Sequence, residues 1–293
     1  MTDKFIKVLT IVRVVDEKIY LAFKVVRTCR NWPSVLGAWL VNRVPVLRTV
    51  APKDLELRLR AGPVLRAPNT RLAAWPLLEV LVGDVYHLEC LPWRASSEMS
   101  MCAVDIGAHV GSFTVALSQR YPRANIICYE PSPHSASYLQ ANIATNHLDE
   151  RVQIYEAAIA SESGSVLLYS NADGSCQASI IEPLNVSDTA TGSEILCPAV
   201  AFQAAMSSAG KVDLVKIDCE GAEYDIILNS ASSCWDDVIC VLLEYHPVAG
   251  HSWGELQDYF TDLGFAITWR DEDQKRAGLG TAMLVRSSPK ALR

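Results

Sequence analysis

Four carboxylates fall within eight residues, Asp218, Glu220, Glu223 and Asp225, directly after the short run "LVKI". Carboxylates repel one another and resist burial. A chain that gathers them at the end of a buried strand therefore needs a reason, and a ring around a positively charged ligand, a proton or a metal supplies one. Glu244 and His246 close a second apolar run, "VICVLLEYH", where alternation puts both on one side of a strand and Tyr245 on the other. A histidine of near-neutral pKa can take a proton from a hydroxyl. His246 is thus the leading general-base candidate, ahead of His251, with Asp218 and Glu220 as the other catalytic candidates. Glu220 and Glu223 also suit the positive first turn of a helix. Glu223 is read as structural, Asp225 as a solvated acid and Tyr224 as a packing residue. Asp218, Glu220, Glu244 and His246 could together hold Mg²⁺ or another divalent ion. No ligand spacing compels that, so no metal ligand is assigned and a metal is not expected.

A second constellation lies upstream in "VDIGAHVGSFT". Gly107 and Gly111 bracket a tight strand-to-helix turn, where the missing Cβ lets backbone approach a ligand. The spacing is G-x-x-x-G, not the G-x-G-x-x-G of dinucleotide binders. Asp105 precedes the turn. A carboxylate there opposes a pyrophosphate and suits a cationic ligand, or else orients the turn. About 20 residues on, "IICYEPSP" ends in Glu130 and Pro131, where a carboxylate can accept hydrogen bonds from two ribose hydroxyls.

These residues require an ordered scaffold. From about residue 100, apolar strands such as "MCAVDIG", "ANIICYE" and "KVDLVKID" alternate with helical stretches such as "GSFTVALSQRY" and "SPHSASYLQANIATNHL". That rhythm predicts an α/β fold with a mostly parallel sheet covered on both faces. The closing runs "FAITWR" and "TAMLVRS" have no helix between them and read as an antiparallel pair. Residues 171–198 are polar and Ser/Thr-rich, a long insertion that is mobile or functional. Residues 1–95 form an N-terminal extension. Phe5 to Arg30 suggests an amphipathic helix, which packs on the main domain or a second subunit, or else lies on a membrane surface or serves as a lid. "LELRLRAGPVLRAP" suggests an edge hairpin turning at Gly62-Pro63.

Composition narrows the function. The 293 residues carry a net charge of −7. The first sixty hold 12 Lys/Arg against 5 Asp/Glu, and the rest 14 against 28. So acidic a body argues against nucleic acid as the main partner. Nine cysteines, several in apolar runs and without a CxxC pair, suit a reducing, cytoplasmic setting. No apolar stretch reaches the roughly 18 residues of a membrane span, and the start lacks a signal-peptide cleavage site.

In order and spacing, "VDIGAHVGSFT", "YEPSP", "LVKIDCEGAE" and "LLEYHP" resemble the FkbM family of S-adenosylmethionine-dependent methyltransferases over roughly residues 65–287. The resemblance implies a class I methyltransferase (Rossmann-like) fold of seven strands with the last antiparallel, occupying residues 96–293 behind the extension. It implies S-adenosyl-L-methionine as cofactor, bound around Asp105, Gly107, His109, Gly111, Ser112, Glu130, Pro131, Ala158 and Asp218. It further implies O-methylation of a hydroxyl on a sugar or natural-product small molecule. The chain departs from the family at "VAFQAAM", where Leu-Asp-Asp is frequent, and at His109, where Asn is frequent. A nicotinamide-dependent oxidoreductase and a catalytically silent binding module are the alternative readings. A homodimer through the apolar N-terminal segment is compatible with each.

Overall fold

A computed structural model describes residues 19–41, 52–94, 98–169, 194–273 and 276–287. Contacts divide the chain into two compact units, one up to Asp84 and one from Val85. That division falls earlier than the boundary after residue 95 read from the sequence.

In the first unit, residues 19–28 form helix α1 and Trp32–Val41 form α2. The rest of the amphipathic segment expected from Phe5 lies outside the described residues. Pro33 falls at the second position of α2, where its missing N–H leaves no helical bond unmade. Strands β1 (Asp54–Arg58) and β2 (Val64–Pro68) pair antiparallel around the turn at Gly62, whose φ of 122° favours glycine. They form a two-stranded sheet of their own, not the edge of a larger one. Helix α3 (Arg71–Leu78) follows, continued by a wide turn over Glu79–Gly83.

The second unit is built on one seven-stranded sheet. Its elements are β3 (Cys102–Ile106), α4 (Ser112–Arg120), β4 (Asn125–Tyr129), α5 (Pro133–Thr145) and β5 (Val152–Tyr155). After β6 (Ala158–Ala160), β7 (Gly164–Tyr169) and β8 (Glu194–Ala201) come α6 (Phe202–Ala209), β9 (Leu214–Ile217) and α7 (Glu223–Leu228). The chain closes with β10 (Cys240–Tyr245), α8 (Trp253–Asp262), β11 (Phe265–Glu272) and β12 (Gly280–Arg286). The strand order is β11-β12-β10-β9-β3-β4-β5, parallel throughout except for β12, which runs antiparallel to both neighbours. β9 and most of β10 are buried along their whole length, as a sheet covered on both faces requires. Alternate residues Val104, Ile106, Val215, Ile217, Val241 and Leu243 pack on one face against Phe202, Ile227, Trp235 and Phe260. The strand order reverses between β3 and β9, so their carboxyl ends border the crevice where open α/β sheets bind ligands.

The run "RVQIYEAAIA" carries two strands: β5 ends the main sheet and β6 opens a separate three-stranded sheet of order β6-β8-β7. Residues 194–198, assigned to the polar insertion, belong to β8 of that sheet, where Cys197 joins Ala158 and Leu168 in a small core. Residues 170–193 of the insertion lie outside the described residues. "AFQAAM", where the family departure left the helix open, is helical as α6. Among the described residues no helix is long and apolar enough to cross a membrane.

Candidate functional site

The register of β3 against β9 sets Asp105 beside Lys216. Both are nearly inaccessible to water. Lys216 Nζ lies 3.3 Å from Asp105 Oδ1 and 3.5 Å from Asp218 Oδ2, and donates to the carbonyls of Ile106 (3.2 Å) and Gly107 (2.7 Å). Burial alone would depress the lysine pKa. The charges of Asp105 and Asp218 more than offset that and raise it, so the ammonium stays charged. Thr114 Oγ1 donates to the other Asp105 oxygen at 2.6 Å. Asp105 has no exposed surface: Oδ2 accepts from Thr114 and Oδ1 has the Lys216 ammonium beside it.

The turn runs Gly107, Ala108, His109, Val110, Gly111, with φ values of 74°, 52° and 85° at Gly107, His109 and Gly111. A Cβ at Gly107 would run into the Asp218 carbonyl oxygen, and one at Gly111 into Leu139. Glycine is therefore required first for the approach of two loops. Ser112 opens α4 and is buried. The backbone N–H of His109 donates to Glu130 Oε2 (2.7 Å) and that of Ser132 to Oε1 (2.9 Å). Each carboxylate oxygen keeps a lone pair for a further donor. Burial pushes Glu130 up to about 7, against the lowering effect of those two bonds. Pro131 continues from it into α5, which Ser132 caps. Burial also holds His109 neutral, at about 4, and its Nε2 finds no partner among the described residues. Ala158 packs in the core of the second sheet.

The acidic loop follows β9. Glu223, fully buried, accepts from the backbone N–H groups of Cys219 (2.9 Å) and Gly221 (3.0 Å), the structural role read for it. Its Oε1 also lies 3.0 Å from His246 Nδ1. That grip holds Glu220 at φ 53° and sets its Oε2 3.3 Å from His246 Nε2. Glu244 Oε1 is 3.9 Å from the same nitrogen. Asp225 is exposed and accepts from Ser161 N–H, while Tyr224 is buried and stacks on His251. His251 stands outside the cluster, near Glu255.

The near-neutral His246 expected from sequence does not hold. Burial would lower its pKa, but the bond to Glu223 and the charges of Glu223, Glu220 and Asp218 raise it to about 10. That shift favours the protonated ring at neutral pH. Burial and like charges instead raise Glu220 to about 7 and Glu244 to about 8. For Asp218, burial raises the pKa while Lys216 and His246 lower it more, leaving it ionised.

Two contributors are invisible to a reading of motifs. Lys216 sits inside a run read only as a strand. Tyr86 comes from 132 residues upstream and donates its hydroxyl to Asp218 Oδ2 (2.9 Å), with Glu244 Oε2 at 3.4 Å. Burial and the neighbouring carboxylates hold its pKa well above the usual value, so it remains a donor. Asp218, Glu244 and His246 each offer a ligand atom within 4.8 Å of the others, which makes them the described residues able to close on a divalent ion.

A seven-stranded sheet of this order with an antiparallel strand β12, a glycine turn after β3 and acids after β4, β9 and β10 defines a class I methyltransferase fold. The model of the methyltransferase FkbM domain matches residues 105–267, more than half the chain, and the protein belongs to that family. Methyltransferase sdnD of Sordaria araneosa is 25% identical over 216 residues, covering 65% of this chain and 81% of its own. The 2-O-methyltransferase NoeI of Sinorhizobium fredii is 31% identical over 136 residues, 42% of this chain and 55% of its own. A solved FkbM methyltransferase from Methylobacillus flagellatus aligns over 72% of this chain and 53% of its own, at 13% identity and a TM-score of 0.44.

Lys216→Met leaves Asp105 charged and unpaired in the core, and is expected to cost about 3–5 kcal/mol in urea unfolding, with part recovered in the double variant with Asp105→Asn. A loss below about 1 kcal/mol would show that the pair is not what holds the two loops. The raised groups also set a pH dependence. Glu130, Glu220 and Glu244 (about 7, 7 and 8, from 4.5) and His246 (about 10, from 6.5) keep protons that the unfolded chain has released. Their contribution is complete below the unfolded values and is lost as pH rises through the folded ones. His109, with its lowered value, opposes this trend only below 6.5. The melting temperature of the ligand-free protein should therefore fall between pH 6.5 and 9, values bracketed by these shifts. A flat or rising curve contradicts the assignment.

Proposed function

We propose that the protein transfers a methyl group from S-adenosyl-L-methionine to a hydroxyl of a sugar or natural-product small molecule. The observation that carries this reading is the excess of carboxylate beside the glycine turn. Asp105, Asp218, Glu220, Glu223 and Glu244 gather around the buried cations Lys216 and His246. Such a pocket favours a ligand that brings positive charge and disfavours the pyrophosphate of a nicotinamide dinucleotide. The unpartnered Nε2 of His109 and the spare lone pairs of Glu130 supply polar contacts beside it. The name 2-O-methyltransferase on one relative supports oxygen as the accepting atom.

The residues divide as follows. Glu130, fixed by His109 N–H and Ser132 N–H, accepts the two ribose hydroxyls, which favour its ionised form. The backbone of Gly107 to Gly111 and Ser112 lets the methionine portion approach, and Asp218 attracts its ammonium end. When bound, S-adenosyl-L-methionine supplies an electrophilic methyl carbon on a sulfonium. Glu220, with a pKa close to neutrality, takes the proton of the acceptor hydroxyl. His246 holds Glu220 and Glu244 in place as their counter-charge. Transfer in line then depends on alignment and on excluding water.

Calorimetry with S-adenosylhomocysteine should show binding that Glu130→Ala weakens about 10–100-fold, with no heat from NADH. Unchanged affinity in the variant removes the ribose role, and no binding at all removes the cofactor. With a panel of hydroxylated sugars, followed by S-adenosylhomocysteine release, Glu220→Gln should lower kcat by about 10²–10⁴ while the product affinity stays. Near-normal turnover removes Glu220 as the proton acceptor. Cofactor binding without transfer to any acceptor points to a silent binding module.

A further inference from the structure

Helix α1 buries Val25, with Cys29 just beyond it at 0% exposure. Its opposite stripe presents Ile19, Tyr20 and Phe23 at 62%, 60% and 55% exposure, with Arg27 on the same side. Arg27 lies over the Phe23 ring at 5.5 Å, and Lys24 over Tyr20 at 4.9 Å. In α2, Leu40 is 59% exposed and Trp32 37%. Five of the nine exposed large apolar side chains among the described residues thus fall between Ile19 and Leu40. Isolated surface apolar residues need no explanation, but a concentration of this kind marks an interaction surface.

The charge of the segment selects the partner. Residues 18–53 hold seven Lys/Arg and no Asp or Glu, in a chain whose net charge is −7. In the same unit, the nearby acid Glu56 is taken up by Arg58 and Arg66. We propose that this face docks the protein on an anionic phospholipid surface, with Tyr20, Phe23 and Trp32 at headgroup depth and Arg27 and Arg30 on lipid phosphates. Basic residues draw the segment to such a surface, and aromatic and aliphatic groups between them gain from leaving water. A nucleic acid would meet the charge but bury neither Ile19 nor Leu40.

The full-length protein is sedimented with vesicles of phosphatidylcholine alone and of phosphatidylcholine with phosphatidylglycerol. It should pellet with the anionic vesicles only, and less as salt is raised. The Tyr20→Ser/Phe23→Ser double variant should bind about tenfold more weakly with unchanged circular dichroism. Arg27→Glu, an exposed position, should weaken binding by about fivefold and keeps the test valid if the double variant misfolds. Absence from the anionic pellet overturns the proposal, as does retention that neither variant alters. Two further results overturn it: a dimer by light scattering that the double variant splits, which assigns the face to a second copy, and displacement from vesicles by short duplex DNA.

Discussion

The buried Lys216 ammonium is the constraint on which the site depends. Taking an ammonium and a carboxylate out of water costs several kcal/mol each, and only close, well-directed partners offset it. Lys216 has them: Asp105 from the neighbouring strand, Asp218 from the end of its own, and two carbonyls of the glycine turn. Those contacts tie the loop after β3 to the loop after β9. The same junction explains Gly107, since the Asp218 carbonyl stands where a Cβ would be. An arginine would not substitute, because its planar fork cannot converge on acceptors arranged around a single point.

Around that junction the electrostatics are unbalanced by design of the sequence. Lys216 answers Asp105 and Asp218, and His246 answers Glu223, which leaves Glu220 and Glu244 without a full counter-charge. They respond by holding protons, and His246 responds by keeping its own. A histidine that looks poised to act as a base from its place in "LLEYHP" is thereby converted into a fixed cation. Local sequence cannot report this reversal, because the field that produces it comes from the acidic loop after β9, more than twenty residues back along the chain.

What was legible followed contiguity. The alternation of strands and helices gave the parallel sheet and its antiparallel closing pair, because each element carries its own apolar period. The glycine turn, Glu130 and the acidic loop could be read because each motif is a few adjacent residues. Lys216 sits within an apolar strand without a local signal, since only the register opposite Asp105 explains why a lysine is tolerated there. Tyr86 gave no signal, lying far upstream in a region without periodicity. Strand β8 was hidden by its polar neighbours: its side chains alternate between solvent and a very small core, which a composition reading takes for a loop.

Glu220 shows how these forces combine. A glutamate in the left-handed region is strained, and such strain persists only where surrounding contacts over-determine it. Here the Glu223 carboxylate collects the N–H groups of Cys219 and Gly221 on either side, so the loop cannot relax without unmaking buried charge-assisted hydrogen bonds. The same carboxylate fixes His246, and His246 fixes the Glu220 side chain. Backbone strain, a buried acid and an imidazolium therefore form one closed circuit that leaves the Glu220 carboxylate little freedom. A carboxylate held in this way needs little reorganisation to meet a ligand, which is what preorganised electrostatics require.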